Sequence, residues 1–174
     1  MIRFIKIATA TTITAMLLIC CGKSGDAENI VSQYKAITSY VGKLDSTKVR
    51  IYEAGYKVVV TASDSTKPVA MGDSVIFYYT AATFNQGIGK VFDTNIDSIA
   101  RKHDFDSTVV RTAYRTIAGS NNLVRGLSLG LLHLYKGESA QLIFTSDYGY
   151  GDKDMGIIPP NTPLIFEVTV ADVK

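Results

Sequence analysis

Tryptophan is absent from this 174-residue chain, proline occurs four times, and histidine and cysteine twice each. The two cysteines are neighbours, Cys20 and Cys21, so the body beyond them has no pair with which to build a disulfide framework. With 14 Gly and 47% hydrophobic residues, the composition excludes collagen-like and low-complexity chains and allows one domain with a buried core. Charge of one sign is lacking too. Arg3 and Lys6 lie in a segment read below as removable, which leaves 16 basic against 16 acidic residues. A neutral body offers no basic footprint to a phosphate backbone, and nucleic acid is excluded as a partner. The uncharged stretch Ile7–Ile19 holds thirteen residues. As a helix it reaches roughly 20 Å, short of a hydrocarbon core about 30 Å thick.

What is present begins with that stretch. Met1–Lys6 is short and basic, and with the apolar run it has the proportions of a secretory signal. Leu18-Ile19-Cys20-Cys21 resembles a bacterial lipoprotein cleavage box, with Leu three residues before a modified Cys. Cys21 is the better acceptor, because choosing Cys20 puts bulky Ile19 where a small residue is wanted. Residues 1–20 are therefore expected to be a signal peptide and Cys21 the lipidation site that ties the chain to a membrane. A plain signal peptide with incidental cysteines and a surviving anchor helix are the alternatives. Gly22 and Lys23 carry no acidic retention signal, which points to the outer membrane of a bacterial cell envelope, on its periplasmic or surface face.

Residues 21–28 read as a small, polar tether. Asp26 can cap a helix in which Ile30, Tyr34, Ile37 and Val41 recur at helical spacing, giving an N-terminal helix and linker over 29–48. Such a helix could serve dimerisation, pack on its own domain, or act as a spacer. From Arg50 the period changes. Lys57–Thr61, Ser74–Thr80 and Ala140–Thr145 are strand-like, Asn85–Gly89 suits a hairpin loop, and Leu164–Ala171 alternates cleanly. One helix lies among these strands: Asn122 can cap it, Leu123, Leu127 and Leu131 form a stripe, and Gly137 can end it. Gly126 and Gly130 inside it imply close approach to another backbone. The expected class is α+β, an antiparallel sheet carrying one short helix.

Little of the usual chemistry is on offer. Gly126-Leu127-Ser128-Leu129-Gly130 fits a nucleophile elbow, but His133 follows in the same expected helix with no acid between, so Ser128 reads as an ordinary helix residue. His103-Asp104-Phe105-Asp106 lacks the ligands a catalytic zinc needs and reads as a solvated loop. Asp147, Asp152 and Asp154 do not follow a calcium-loop pattern. No metal and no cofactor is expected. Aromatic residues, by contrast, are plentiful on or beside the strands: Tyr78, Tyr79, Phe92, Tyr114, Tyr148, Tyr150 and Phe166.

The spelling of these pieces resembles the FKBP-type peptidyl-prolyl cis-trans isomerases from about Glu53 to Lys174. Tyr148-Gly149-Tyr150-Gly151, then Gly156-Ile157-Ile158-Pro159-Pro160-Asn161 and the strand from Leu164, is the strongest segment. Gly72-Asp73-Ser74-Val75 to Tyr79-Thr80, Phe92-Asp93, Val124-Arg125-Gly126 and Lys136-Gly137-Glu138 follow the family's pattern in the same order. The resemblance implies an FKBP-like domain over 49–174, a twisted sheet half-wrapped around one short helix, with a shallow apolar pocket between them. Carried over, Tyr79, Phe92, Asp93, Tyr150 and Phe166 become the catalytic set. Tyr114, Leu123, Val124, Leu127, Ile157 and Ile158 become the substrate-binding set. Asp93 would orient the Tyr79 hydroxyl, while Tyr150 and the Val124 N–H would meet substrate carbonyls.

Three departures stand out: Leu127 where many members have Trp, Ala81 for a common Gly, and an insertion at about 94–111. The implied activity is isomerisation of X-Pro bonds in exported proteins without cofactor. Proline-containing polypeptides are the implied partners, and macrolide inhibitors are implied ligands of the same pocket. The alternative is a non-catalytic module or chaperone gripping proline or apolar segments in the cell envelope.

Overall fold

The computed structural model describes residues 23–63 and 65–174, so the signal, the cleavage box and Cys21 lie outside the described residues. The described residues form three α-helices: α1 (Lys23–Val41), α2 (Asp97–Lys102) and α3 (Arg125–Leu131). Seven strands, β1 (Val49–Tyr52), β2 (Gly55–Thr61), β3 (Ser74–Phe84), β4 (Ile88–Thr94), β5 (Tyr114–Ile117), β6 (Ser139–Phe144) and β7 (Leu164–Val173), make one antiparallel sheet. Its order is β1-β2-β6-β7-β3-β4, with β5 also on β3. This is the antiparallel sheet with a short helix that the sequence pattern leads one to expect.

Each face of the sheet carries a buried core. On one face Phe77, Leu142, Phe144, Leu164, Phe166 and Val168 meet Leu127 and Leu131 of α3 in the main core. On the other, Tyr56, Val58, Phe84, Ile143 and Ile165 meet Ile37 and Val41 of α1. Helix α1 thus packs on its own domain. Strand β7 shows the consequence: Leu164, Phe166, Val168 and Val170 face the main core, yet Ile165 between them is also buried because α1 covers it.

Several boundaries differ from the sequence expectation. Helix α1 begins at Lys23 and runs through the supposed tether and past Asp26, which falls inside the helix rather than at its cap. Ala27 and Glu28 are good helix formers, and Gly25 costs the helix only about 1 kcal/mol against Ala. The buried stripe is Gln33, Ile37 and Val41, while Tyr34 is 51% exposed. Helix α3 is shorter than expected at both ends. Val124, not Asn122, is its N-cap, and it stops at Leu131, well before Gly137. The chain leaves the helix there to pair with Val69, whose N–H donates to Leu134 O at 2.7 Å and whose carbonyl accepts from His133 N–H at 2.8 Å. A tertiary ladder outbids further helical turns. Gly137, with φ +83°, serves the turn into β6 instead. The glycines of α3 do face a close neighbour, but it is side chain and not backbone: a Cβ on Gly126 would stand 2.4 Å from the Phe144 ring, and one on Gly130 2.6 Å from Leu142 Cδ1.

The insertion leaves the sheet between β4 and β5, which pair with the two successive halves of β3. It carries α2, and its Phe105 packs against the α1 core.

Candidate active site

The register of the sheet places Tyr79 on β3 opposite Val168, two residues along β7 from Phe166, with Phe77 and Ala81 on the same face. On β4, Val91 pairs with Ala82 and Asp93 with Ala81, so Phe92 is an extra residue in a bulge. In a regular strand Phe92 and Asp93 would point to opposite faces. The bulge re-aims the strand, and both reach one cavity.

That cavity, about 330 Å³, is lined by Tyr79, Phe92, Asp93, Tyr114, Asn122, Leu123, Val124, Leu127, Tyr150 and Phe166. Ring contacts tie its walls together. Phe92 stands edge-on to Tyr150 and to Phe166, with centroids 6.4 and 6.2 Å apart, and Tyr79 lies 6.2 Å from Phe166. Phe166 in turn stacks at 5.7 Å on Phe144, the ring that Gly126 makes room for. Leu127, 3% exposed, is the floor.

Two phenols face the cavity, and they are prepared differently. The Tyr79 hydroxyl donates to Asp93 Oδ2 at 2.6 Å. Burial, then the hydrogen bond and negative charge of Asp93, holds its pKa above the usual phenol range. Tyr150 is also raised, first by burial and then by the charge of Asp93. Both remain neutral donors at physiological pH. Tyr79 has its proton committed to Asp93, whereas the Tyr150 hydroxyl has no protein partner among the described residues and can donate outward. Val124, at the N-cap of α3, adds main-chain N–H groups of a first turn, which have no intrahelical acceptor.

Of the residues named from sequence, Tyr79, Phe92, Asp93, Tyr114, Leu123, Val124, Leu127, Tyr150 and Phe166 are brought together here. Ile157 and Ile158 are not. Ile158 is 4% exposed and belongs to the main core, while Ile157 is 40% exposed on the loop before β7. Asn122, read as a helix cap, lines the cavity instead. Ser128 donates its hydroxyl to Ser120 O at 3.0 Å and His133 is exposed, so no nucleophile is assembled. Among the described residues no group of three or more His, Cys, Asp or Glu is arranged to hold a metal ion.

A half-wrapped sheet, one short helix and an aromatic cavity without a nucleophile define a class of domain, and the comparisons agree with it. The FKBP-type peptidyl-prolyl cis-trans isomerase family model matches residues 65–171, more than half of the chain. A peptidyl-prolyl cis-trans isomerase of Schizosaccharomyces pombe is 34% identical over 119 residues, covering 68% of this chain and 93% of that protein. FK506-binding protein 5 of Dictyostelium discoideum is 33% identical over 118 residues, which span 67% of this chain but only 6% of that protein. The crystal structure of a peptidyl-prolyl cis-trans isomerase from Pseudomonas syringae shares the fold with a TM-score of 0.62 at 18% identity, covering 85% of this chain and 95% of that one. The chain belongs to the FKBP-type peptidyl-prolyl cis-trans isomerase family.

Proposed function

We propose that this pocket catalyses cis-trans isomerisation of X-Pro bonds in exported polypeptides, with the chain held at a bacterial envelope membrane by a lipid on Cys21. The observation that carries the catalytic reading is the pair of phenols over the apolar cavity, one bound to Asp93 and one able to donate outward.

X-Pro rotation meets a barrier of about 18–20 kcal/mol from amide resonance, and no bond has to break. An acceleration of about 10⁴-fold needs only ~5.5 kcal/mol of differential stabilisation. Phe92, Phe166, Tyr79 and Leu127 enclose the prolyl ring. Removing the amide from water favours the twisted form, whose carbonyl has lost conjugation, over either planar form. Tyr150 donates to a neighbouring substrate carbonyl, and Asp93 keeps the Tyr79 ring in place. FK506 appears in the names of relatives, and a macrolide of that kind would enter the same cavity.

The test is turnover of a Xaa-Pro peptide series by a chain starting at Gly22, beside Leu127→Trp, Phe92→Ala and Ser128→Ala. Wild-type turnover is expected to depend on the residue before proline. Phe92→Ala should lower kcat/KM about ten- to a hundredfold, as a lost buried ring implies, and Ser128→Ala should leave it within about twofold. Equal loss in both variants would overturn the pocket assignment. A second reading, a binding module without turnover, is favoured by Leu127, which gives the floor apolar surface but no flat ring. Silence of the wild type with activity gained in Leu127→Trp would select it.

A further inference from the structure

The loop that carries Tyr150 is held at its base by a residue from outside the sheet. Gln33 lies mid-way along α1, 6% exposed, on the same face as Ile37 and Val41. An apolar side chain would continue that stripe, so the amide needs another reason. Its Oε1 accepts from the main-chain N–H of Ser146 at 2.8 Å. Its Nε2 lies 2.8 Å from the carbonyl oxygen of Asn161, 3.0 Å from Ser146 Oγ and 3.0 Å from Asn29 Oδ1.

Ser146 and Asn161 are the two ends of one loop. Ser146 opens the turn after β6, and Asn161, with φ +55°, precedes β7. The Ser146 carbonyl accepts from the N–H groups of Gly149 and Gly151, both at 2.8 Å, and the Gly151 carbonyl accepts from Asn161 N–H at 2.7 Å. Tyr150 sits between those two glycines. One carboxamide on α1 thus closes a ring of hydrogen bonds around the backbone of the residue that aims a free phenol into the cavity.

We propose that Gln33 is a positioning residue of the site: it clamps both ends of the 146–161 loop and so fixes where the Tyr150 hydroxyl stands. The amino-terminal helix is then part of the catalytic apparatus. This rests on the isomerase reading for its consequence, though not for its geometry.

Two variants separate the halves of the clamp. Gln33→Met keeps the length and packing and removes every hydrogen bond. Gln33→Glu keeps the acceptor for Ser146 N–H and loses the donor to Asn161 O. The first readout is amide hydrogen exchange. In Gln33→Met, Gly149, Gly151 and Asn161 should exchange about tenfold faster or more, with the sheet amides of Phe77 and Val168 unchanged, and Gln33→Glu, whose carboxylate faces the Asn161 carbonyl, should release Asn161 at least as far. The second is a double-mutant cycle on kcat/KM. Gln33→Met should cost about three- to tenfold alone and nothing further in a Tyr150→Phe background. Unchanged loop exchange overturns the clamp, and so does faster exchange spread evenly over the sheet, which marks general destabilisation. Additive losses in the cycle overturn the route through Tyr150. If the wild type turns over no X-Pro peptide, the isomerase reading fails while hydrogen exchange still decides the clamp.

Discussion

Lys57 is an unusual residue to bury, and its surroundings say what it does. It is 3% exposed, donates from Nζ to Leu132 O at 2.5 Å, and lies 5.8 Å from the centre of the Tyr52 ring. Leu132 is the C-cap of α3, so the ammonium satisfies a carbonyl at the negative end of that helix. At the other end the Tyr52 hydroxyl donates to Gly126 O at 3.1 Å. Burial pulls the Lys57 pKa from 10.5 down to about 8, with the buried Glu138 opposing the shift and Arg50 adding to it. The unfolded chain therefore binds the extra proton between pH 8 and 10.5, and stability from this group rises with pH across that window and is lost as pH falls through 8. Against a Lys57→Met variant, the wild type should gain up to about 3 kcal/mol between pH 7.5 and 10. Urea unfolding of both proteins at several pH values measures it. A difference that stays flat over that range would show that the amine is already neutral or well solvated.

At the scale of elements, the split between β4 and β5 is bridged by a side chain. Asn95, 9% exposed, accepts from Tyr79 N–H at 2.7 Å and donates from Nδ2 to Phe77 O and Thr112 O, both at 3.1 Å. It stands in for the missing strand residue, lets the insertion depart, and fixes the backbone of the phenol that binds Asp93. Asn95→Ala leaves buried main-chain groups without partners and should cost about 2–3 kcal/mol, seen as a lower urea midpoint at an unchanged slope. A cost under about 0.5 kcal/mol would mean water replaces the amide.

Asn95 also marks where reading the sequence stops. Tyr79, Phe92, Asp93, Leu127, Tyr150 and Phe166 were legible because each lies in a short local spelling on a strand, helix or turn. The fold class was legible for the same reason. Gln33, Asn95 and Lys57 were not, because each satisfies main-chain groups far away in the chain, and such bonds leave no periodic trace. The early end of α3 has a related cause. Local pattern proposes a direction or a length, and tertiary packing decides it.

The whole molecule is a sheet with two cores, and the cores share strands. Ile143 and Ile165 lie under α1, while their neighbours Leu142, Phe144, Leu164 and Phe166 lie under α3 and around the cavity. A loss on the α1 side is therefore felt in the strands that build the site, and α1 should not melt as a separate unit. Ile37, 1% exposed, is the residue to test. Ile37→Ala should destabilise by about 2–4 kcal/mol. Its unfolding curve followed by far-ultraviolet circular dichroism, which sees α1, should coincide with that followed by the ring proton resonances of Phe92 and Phe166, which stand in the wall of the cavity. In the wild type the two curves should coincide at a higher midpoint. If the dichroism curve instead moves alone, leaving the Phe92 and Phe166 transition at its wild-type midpoint, α1 is an appendage whose docking does not support the domain. Coincident movement shows that α1 and the isomerase fold are one cooperative unit, which is the condition under which an amide on α1 can govern a phenol in the pocket.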